Sequence, residues 1–366
     1  MKRRNFITAA AGGLAAGALA APAIAQTQAT VKWRMTLSWP KSLETMYGSC
    51  EQLAKRVSDL TEGKFQIQVF AAGEIVPGLQ VLDAVQNGTV EVGHTLTSFF
   101  IGKRPAYVFD AGLAFGLNTR QQTSWLYYGG GLELIREVFK KDNIMLFPGG
   151  NVGVQMGGFY RKEIKTVDDL KGLKFRIGGI GGVILAKLGV VPQQIAPGDL
   201  YPAMERGTID AAEFVGPADD EKLGLHKIAK FYYTPGWWEG SAQDTTLVNL
   251  NAWEALPPQF KSAFEAASIE QQLLMVARYD AVNPAALKRL IASGVQVKQF
   301  PRAVMDACYK ATMQTYDELI AKDADFARIY ALWKPFADES NQWFRIAEYP
   351  LDSYRFAISA AATAKK

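Results

Sequence analysis

Ala84-Val85-Gln86-Asn87-Gly88-Thr89-Val90-Glu91 has a counterpart downstream, Ala203-Met204-Glu205-Arg206-Gly207-Thr208-Ile209-Asp210. Each string reads as the end of a helix, a glycine suited to the left-handed position that closes it, and a β-branched start to a strand. Upstream, Lys32-Trp33-Arg34-Met35 parallels Lys174-Phe175-Arg176-Ile177 in the same order. Between the matches each half holds a helical stretch (43–60 and 182–188) and a strand (65–70 and 191–196). Each half therefore reads β-α-β-α-β, which predicts parallel strands covered by helices and two similar α/β lobes. Ligands in such sheets sit beyond the carboxyl ends of the strands. The strands opening at Val90 and Ile209 end near His94-Thr95 and Glu213-Phe214, which should face each other across a cleft.

The chain has 366 residues, a formal charge of +4, and is about half apolar. This excludes a disordered tail, a disulfide-stapled miniprotein and a low-complexity fibre, and the length predicts two domains. Three of the positive charges lie in Met1-Lys2-Arg3-Arg4. An uncharged Ala/Gly-rich run follows, then Ala23-Ile24-Ala25, so residues 1–25 read as an export signal cleaved before Gln26. Arg3-Arg4-Asn5-Phe6-Ile7 is similar to a twin-arginine signal. Without that segment the charges nearly balance and no run of five like charges remains, which removes the electrostatic basis for nucleic-acid binding. The mature protein is expected to be exported and soluble.

Cys50 lies on a helical stripe with Met46, Leu53, Val57 and Leu60, and Cys308 with Met305 and Ala311. Both read as unpaired core residues. Residues 257–282 form a long helix with Phe260, Phe264, Ala267, Gln271 and Leu274 on one face. It is long enough to back both lobes and is ended or kinked at Pro284. The expected organisation is lobe I from 26–150 with 240–285 returning to it, lobe II from 151–239 with part of 286–336, and a helical tail over 337–366. Trp343, Phe344, Tyr349, Tyr354 and Phe356 in that tail should dock on the body or on another subunit.

Walker A, G-x-S-x-G, H-E-x-x-H and G-x-G-x-x-G strings are all missing, and His94 and His226 are the only histidines. That leaves little material for a triad or a zinc site and favours a binder over an enzyme. Four residues stand out as binding candidates. Arg176 lies in an apolar strand, where a buried guanidinium needs an anion, either a ligand carboxylate or a structural partner. Glu213 is a lone acid at a strand end, Glu239 an acid among aromatics, and Gln155 an amide in a glycine-rich turn. The two acids and the amide form an all-oxygen set suited to Na⁺ or Ca²⁺, unless backbone groups satisfy them instead.

Asp168-Asp169-Leu170-Lys171-Gly172-Leu173-Lys174-Phe175-Arg176, the 203–210 helix end and the 84–92 segment resemble those of periplasmic substrate-binding subunits of TRAP transporters. The resemblance covers essentially the whole mature chain. It implies a two-lobed periplasmic binding protein fold (type II-like), each lobe a mixed sheet flanked by helices. It implies that Arg176 clamps a substrate carboxylate. Within the family the chain looks most like the 2-oxo acid binders, in which a metal, typically sodium, bridges protein and substrate. That similarity implies a cation held by Gln155, Glu213, Glu239 and the Phe214 carbonyl, with Na⁺ favoured and Ca²⁺ possible. The pattern often has tryptophan where Phe214 stands. The implied ligand is a small 2-oxo monocarboxylate such as pyruvate or 2-oxobutyrate, contacted by Arg176, Gln155, Phe214 and Trp238, with Trp237 also lining the apolar side. The implied partners are TRAP membrane subunits and a second copy of the chain. Rival readings are a receptor for a dicarboxylate, 2-hydroxy acid or sugar acid, and a metal-dependent lyase using His94 as base.

Overall fold

The structure is a computed structural model and describes residues 30–363, with side chains to 360. The expected export signal lies outside the described residues. The two repeat strings end short helices at Val81–Gln86 and Leu200–Glu205. Gly88 and Gly207 take φ of +71° and +72°. In each, the glycine N–H bonds the carbonyl three residues back (Gly88 to Val85, Gly207 to Met204), and the next N–H bonds one residue further back (Thr89 to Ala84, Thr208 to Ala203). This is the Schellman closure, and the left-handed position favours glycine because a Cβ there costs about 1–2 kcal/mol.

Among the described residues eleven strands follow in chain order: β1 Val31–Leu37, β2 Phe65–Phe70, β3 Val92–Leu96, β4 Ile144–Asn151, β5 Gly158–Tyr160, β6 Lys174–Arg176, β7 Val191–Gln193, β8 Ala211–Ala212, β9 Phe231–Thr234, β10 Gln243–Asn249 and β11 Gln296–Gln299. They form two sheets, ordered β2-β1-β3-β10-β4 and β11-β9-β5-β8-β6-β7. In the first, β1 pairs in parallel with β2 and β3; in the second, β6 pairs in parallel with β7 and β8. The two repeats thus have the same topology. The sheets become mixed through the other strands: β10 runs antiparallel to β3 and β4, and β5 antiparallel to β8 and β9.

The upstream sequence match is out of register by two residues. Arg176 lies opposite Ala212, and the residue in the same place in the first sheet is Thr36, opposite Gly93. Arg34 sits further from the strand end, where it is exposed and pairs with Glu91. The helix expected over 182–188 starts earlier, at Gly179–Ala186, and the strand expected to 196 ends at Gln193.

The chain crosses between the sheets after β4, returns after β9 and goes back to the second sheet before β11, and the first two crossings lie side by side. Gly236 N–H bonds the Gln155 carbonyl, Ala242 N–H bonds Gly153, and Val152 N–H bonds Ala242. A helix over Pro258–Ala292 backs both sheets. Its 35 residues make it about 52 Å long. Phe264 meets Trp33, Phe65 and Phe147 of the first sheet. Further along, the Tyr279 hydroxyl donates to Asp219 at 2.5 Å, and the Ala218 N–H donates to Asn283 at 3.0 Å.

Of the two outcomes expected at Pro284, an end or a kink, the end does not occur: Pro284 and Asp280, whose carbonyl loses a donor, are both exposed, and Tyr279, Ala286 and Leu290 pin the helix on either side. Leu274 is not on the buried face but 46% exposed, because the stripe steps by four from Gln271 to Met275 and Tyr279. Leu60, expected on the Cys50 stripe, is exposed as the last residue of its helix. Cys50 and Cys308 are buried and free.

The tail is no separate element. It continues a 40-residue helix, Ala324–Thr363. Trp343, Tyr349, Tyr354 and Phe356 are 61–68% exposed rather than docked on the body. Only Phe344 is half-buried, under the Arg120 guanidinium at 4.9 Å.

Candidate ligand and cation site

The carboxyl ends of β1, β3, β6 and β8 meet the two crossings at a small, largely enclosed cavity. Arg176 closes β6 and is 1% exposed. Its Nη1 donates to the Glu213 carbonyl at 2.6 Å and to Glu213 Oε1 at 2.7 Å, and its Nε to the Ile195 carbonyl at 3.0 Å. Its Nη2 has no protein partner. The structural-partner alternative is what the structure shows: one edge of the fork is a buried salt bridge, and the remaining N–H group is free. The guanidinium lies 5.6 Å from the Phe214 ring centre and 6.0 Å from that of Phe99.

Glu213 follows β8. Burial pushes its carboxyl up to about 7, against the opposing pull of Arg176. The Trp238 indole faces the same carboxylate without closing a hydrogen bond of regular geometry. Glu239 comes from the second crossing, accepts from Ser98 Oγ at 3.0 Å, and is pushed to about 8 by burial and then by the Glu213 charge. Gln155 comes from the first crossing, is buried, and its Oε1 is unpartnered.

Several residues at this cavity were not anticipated. Asp244 is buried at a bulge in β10, its Oδ2 unpartnered and its pKa held well above the usual carboxylate range by burial and the Glu239 charge. The signal was present: Asp244 is the only charged residue in Gln243-Asp244-Thr245-Thr246-Leu247-Val248. Trp39, Ser98 and Phe99 also line the cavity, just beyond the carboxyl ends of β1 and β3. Two expectations fail. Trp237 stacks on Phe115 at 4.9 Å and does not line the cavity. His94 is buried behind the wall with both ring nitrogens engaged, Nδ1 by Trp39 and Nε2 by the Gly149 carbonyl. It has no free nitrogen to act as a base on a ligand.

Unpartnered Arg176 Nη2, Trp238 Nε1, Gln155 Oε1 and Asp244 Oδ2 all belong to residues lining this one cavity. An unsatisfied buried polar group costs about 1–3 kcal/mol, so the protein alone leaves the site strongly under-satisfied. The cavity also holds three carboxylates against one guanidinium. The donors are hard oxygens, which fit Na⁺ or Ca²⁺ and do not suit a soft metal. Among the described residues no group of three His, Cys, Asp or Glu side chains is placed to hold a metal ion by itself.

Residues 37–323 match the model of the bacterial extracellular solute-binding protein family 7. Over 360 residues the chain is 48% identical to a monocarboxylate 2-oxoacid-binding periplasmic protein of Nostoc, covering 97% of this chain and 99% of that one. A TRAP transporter solute-binding protein from Bordetella bronchiseptica is 60% identical with a TM-score of 0.90, covering 91% of this chain and 99% of that one. It was solved as a mixed-occupancy dimer with calcium and picolinate in one active site and the other apo. A TRAP periplasmic solute-binding protein from Pseudoalteromonas atlantica, with bound sodium and pyruvate, is 35% identical with a TM-score of 0.86, covering 88% of this chain and 99% of that one. Proteins of this family bind solutes and are not enzymes. The chain belongs to the bacterial extracellular solute-binding protein family 7.

Proposed function

We propose that this protein is the extracytoplasmic receptor of a TRAP transporter, and that it takes a small 2-oxo monocarboxylate of the pyruvate class together with a hard cation. One observation carries the reading: a free guanidinium N–H and free oxygens of opposite polarity line the same buried cavity. Such a cavity suits a ligand that offers an anionic oxygen to Arg176 Nη2 and shares its other oxygens with a cation. Gln155, Glu213, Glu239 and the Phe214 carbonyl hold the cation, and Asp244 joins them. The cation supplies the positive charge that keeps these carboxylates ionised away from water. Arg176 orients the ligand carboxylate, and Trp39, Phe99, Phe214 and Trp238 exclude water around the alkyl end.

Lobe I (26–150 with 240–285) and lobe II (151–239 with part of 286–336) close about the paired crossings, and the closed form is read by membrane subunits. The first 25 residues serve as the export signal, of twin-arginine or Sec type. Among the described residues no helix is long and apolar enough to cross a membrane.

A second ligand is favoured by one finding, the picolinate in the Bordetella relative. Picolinate and pyruvate share a carboxylate with a neutral donor on the adjacent carbon, so both chelate one cation, and four aromatic rings suit a flat ligand. A thermal-shift panel on chelated protein tests the class. Pyruvate, 2-oxobutyrate and picolinate should raise the midpoint only with Na⁺ or Ca²⁺ added, by the equivalent of about 2.7 kcal/mol at a hundredfold excess over Kd. A shift by succinate or a sugar acid without cation would overturn it.

The exposed apolar residues of the Ala324–Thr363 helix fit a second copy of the chain. Truncation after residue 341 should halve the mass measured by light scattering. An unchanged mass would refute the helix as dimer element.

A further inference from the structure

Trp39 stands just beyond β1 with its ring 1% exposed and forms part of the cavity wall. It packs edge-on to Phe99, 6.2 Å between ring centres, and to Phe214, 6.3 Å. Phe99 belongs to the first lobe and Phe214 to the second, so the Trp39 ring bridges the cleft where the ligand's alkyl end would lie. Packing alone leaves an indole free to swivel and leaves its N–H needing an acceptor. That acceptor is His94 Nδ1, at 2.8 Å.

His94 is itself fixed. From β3 its side chain passes over Thr246 of β10, its cross-strand partner, and Nε2 meets the Gly149 carbonyl of β4 at 3.0 Å. Gly149 allows this approach, since a Cβ there would lie 2.5 Å from Thr246 Oγ1 and 3.0 Å from His94 Cδ2. Because Nδ1 accepts from the indole, Nε2 must carry the proton and donate to the carbonyl. A chain of two hydrogen bonds therefore ties one wall of the cavity to β3 and β4 of the first sheet.

We propose that His94 is a positioning residue for ligand selection: through its hydrogen bond it locks the Trp39 ring against Phe214 and so sets the length of alkyl chain the cavity accepts. This rests on the reading of the cavity as a 2-oxo acid site. His94 touches no ligand atom and acts only through Trp39. Burial, which drives its pKa down to about 4, keeps the imidazole neutral and able to accept.

The test has a ligand-free and a ligand-bound arm, so that failure of the inference is distinct from failure of the ligand reading. In ¹⁵N-labelled protein without ligand, the Trp39 indole N–H is assigned as the signal lost in Trp39→Phe. It should move upfield in His94→Phe and stay near its wild-type position in His94→Gln, whose amide can accept from the indole and donate to Gly149. An unmoved signal in His94→Phe overturns the hydrogen-bond lock whatever the ligand is. With cation present, calorimetry of pyruvate against 2-oxohexanoate gives the length selectivity. His94→Phe and Trp39→Phe should each reduce it by about tenfold, within the range that methylene-sized differences in an apolar pocket produce. His94→Gln should keep it within about threefold, and His94→Phe should add nothing in a Trp39→Phe background. Wild-type selectivity in Trp39→Phe, which needs no altered His94 to fold, overturns the inference. So does an undiminished His94→Phe effect in the Trp39→Phe background. If the wild-type protein binds neither acid, the ligand reading itself fails.

Discussion

Arg176→Ala is expected to abolish the calorimetric heat of pyruvate binding and to lower the unfolding midpoint as well. The second effect arises because Arg176 is bonded to both the carbonyl and the carboxylate of Glu213. Removing one partner of a buried pair leaves the other charge unpaired, at about 3–5 kcal/mol. Lost binding in this variant could therefore reflect a damaged lobe, and Arg176→Lys separates the two effects. An ammonium can stay beside Glu213 and preserve most of the stability. It cannot bond Glu213 and Ile195 while also offering the free Nη2 to a ligand, because it lacks the planar fork. Affinity should fall by about a hundredfold or more, within the 2–5 kcal/mol attached to truncating a buried charge-paired contact. A stable Arg176→Lys variant that binds pyruvate at wild-type affinity would remove the arginine from the ligand's binding set.

Protein stripped of Na⁺ and Ca²⁺ should become less stable as pH rises from about 5 to about 8, and added cation should reverse the loss progressively with pH. The sign follows from Glu213 and Glu239, whose folded values near 7 and 8 stand above the ordinary 4.5. Between the unfolded and folded values the native state binds more protons than the unfolded chain. Stability therefore falls with rising pH, by up to about 1.4 kcal/mol per unit for each group, and levels off above the folded value. Asp244 acts in the same direction. Asp110, Asp219 and Asp220 are also raised, to about 7, 6 and 7, and slope the same way in both forms of the protein. His94, lowered to about 4, slopes the other way in both. None of these four lines the cavity, so the difference between loaded and stripped protein isolates the cavity acids. Asp244→Asn should shrink that difference and weaken cation binding by about tenfold or more at pH 8. A cation-induced rise in midpoint independent of pH between 5 and 8, in wild type, would sink the carboxylate assignment.

Much of this was legible because it is local. The Gly88 and Gly207 closures follow from a glycine, a helix end and a β-branched strand start within eight residues, and they fixed the repeat. Arg176, Glu213, Gln155 and Glu239 stood out because each is a polar group in an apolar or glycine-rich stretch, where burial requires a partner. Position along the strand was harder to read. The upstream match paired Arg34 with Arg176, yet β-strand register places Thr36 in that role. A two-residue slip keeps the side chains on the same face, so the apolar pattern could not reveal it. The helix face drifted at Leu274 because a stripe can step by three or four residues with similar hydrophobicity.

The sequence by itself determined the two β-α-β-α-β units, the long backing helix, the free buried cysteines and four of the polar residues around the cavity, since period, capping and isolated charge are properties of neighbours in the chain. Only the tertiary structure decided which polar atoms stay unpartnered. Pairing of the two crossings brings Gln155 and Glu239 together, a bulge in the antiparallel β10 delivers Asp244, and His94, matched to Glu213 in sequence, is turned behind the wall to hold Trp39. The physical reason is that a donor or acceptor is satisfied or orphaned by whatever strand lies beside it. In this fold that strand comes from far along the chain.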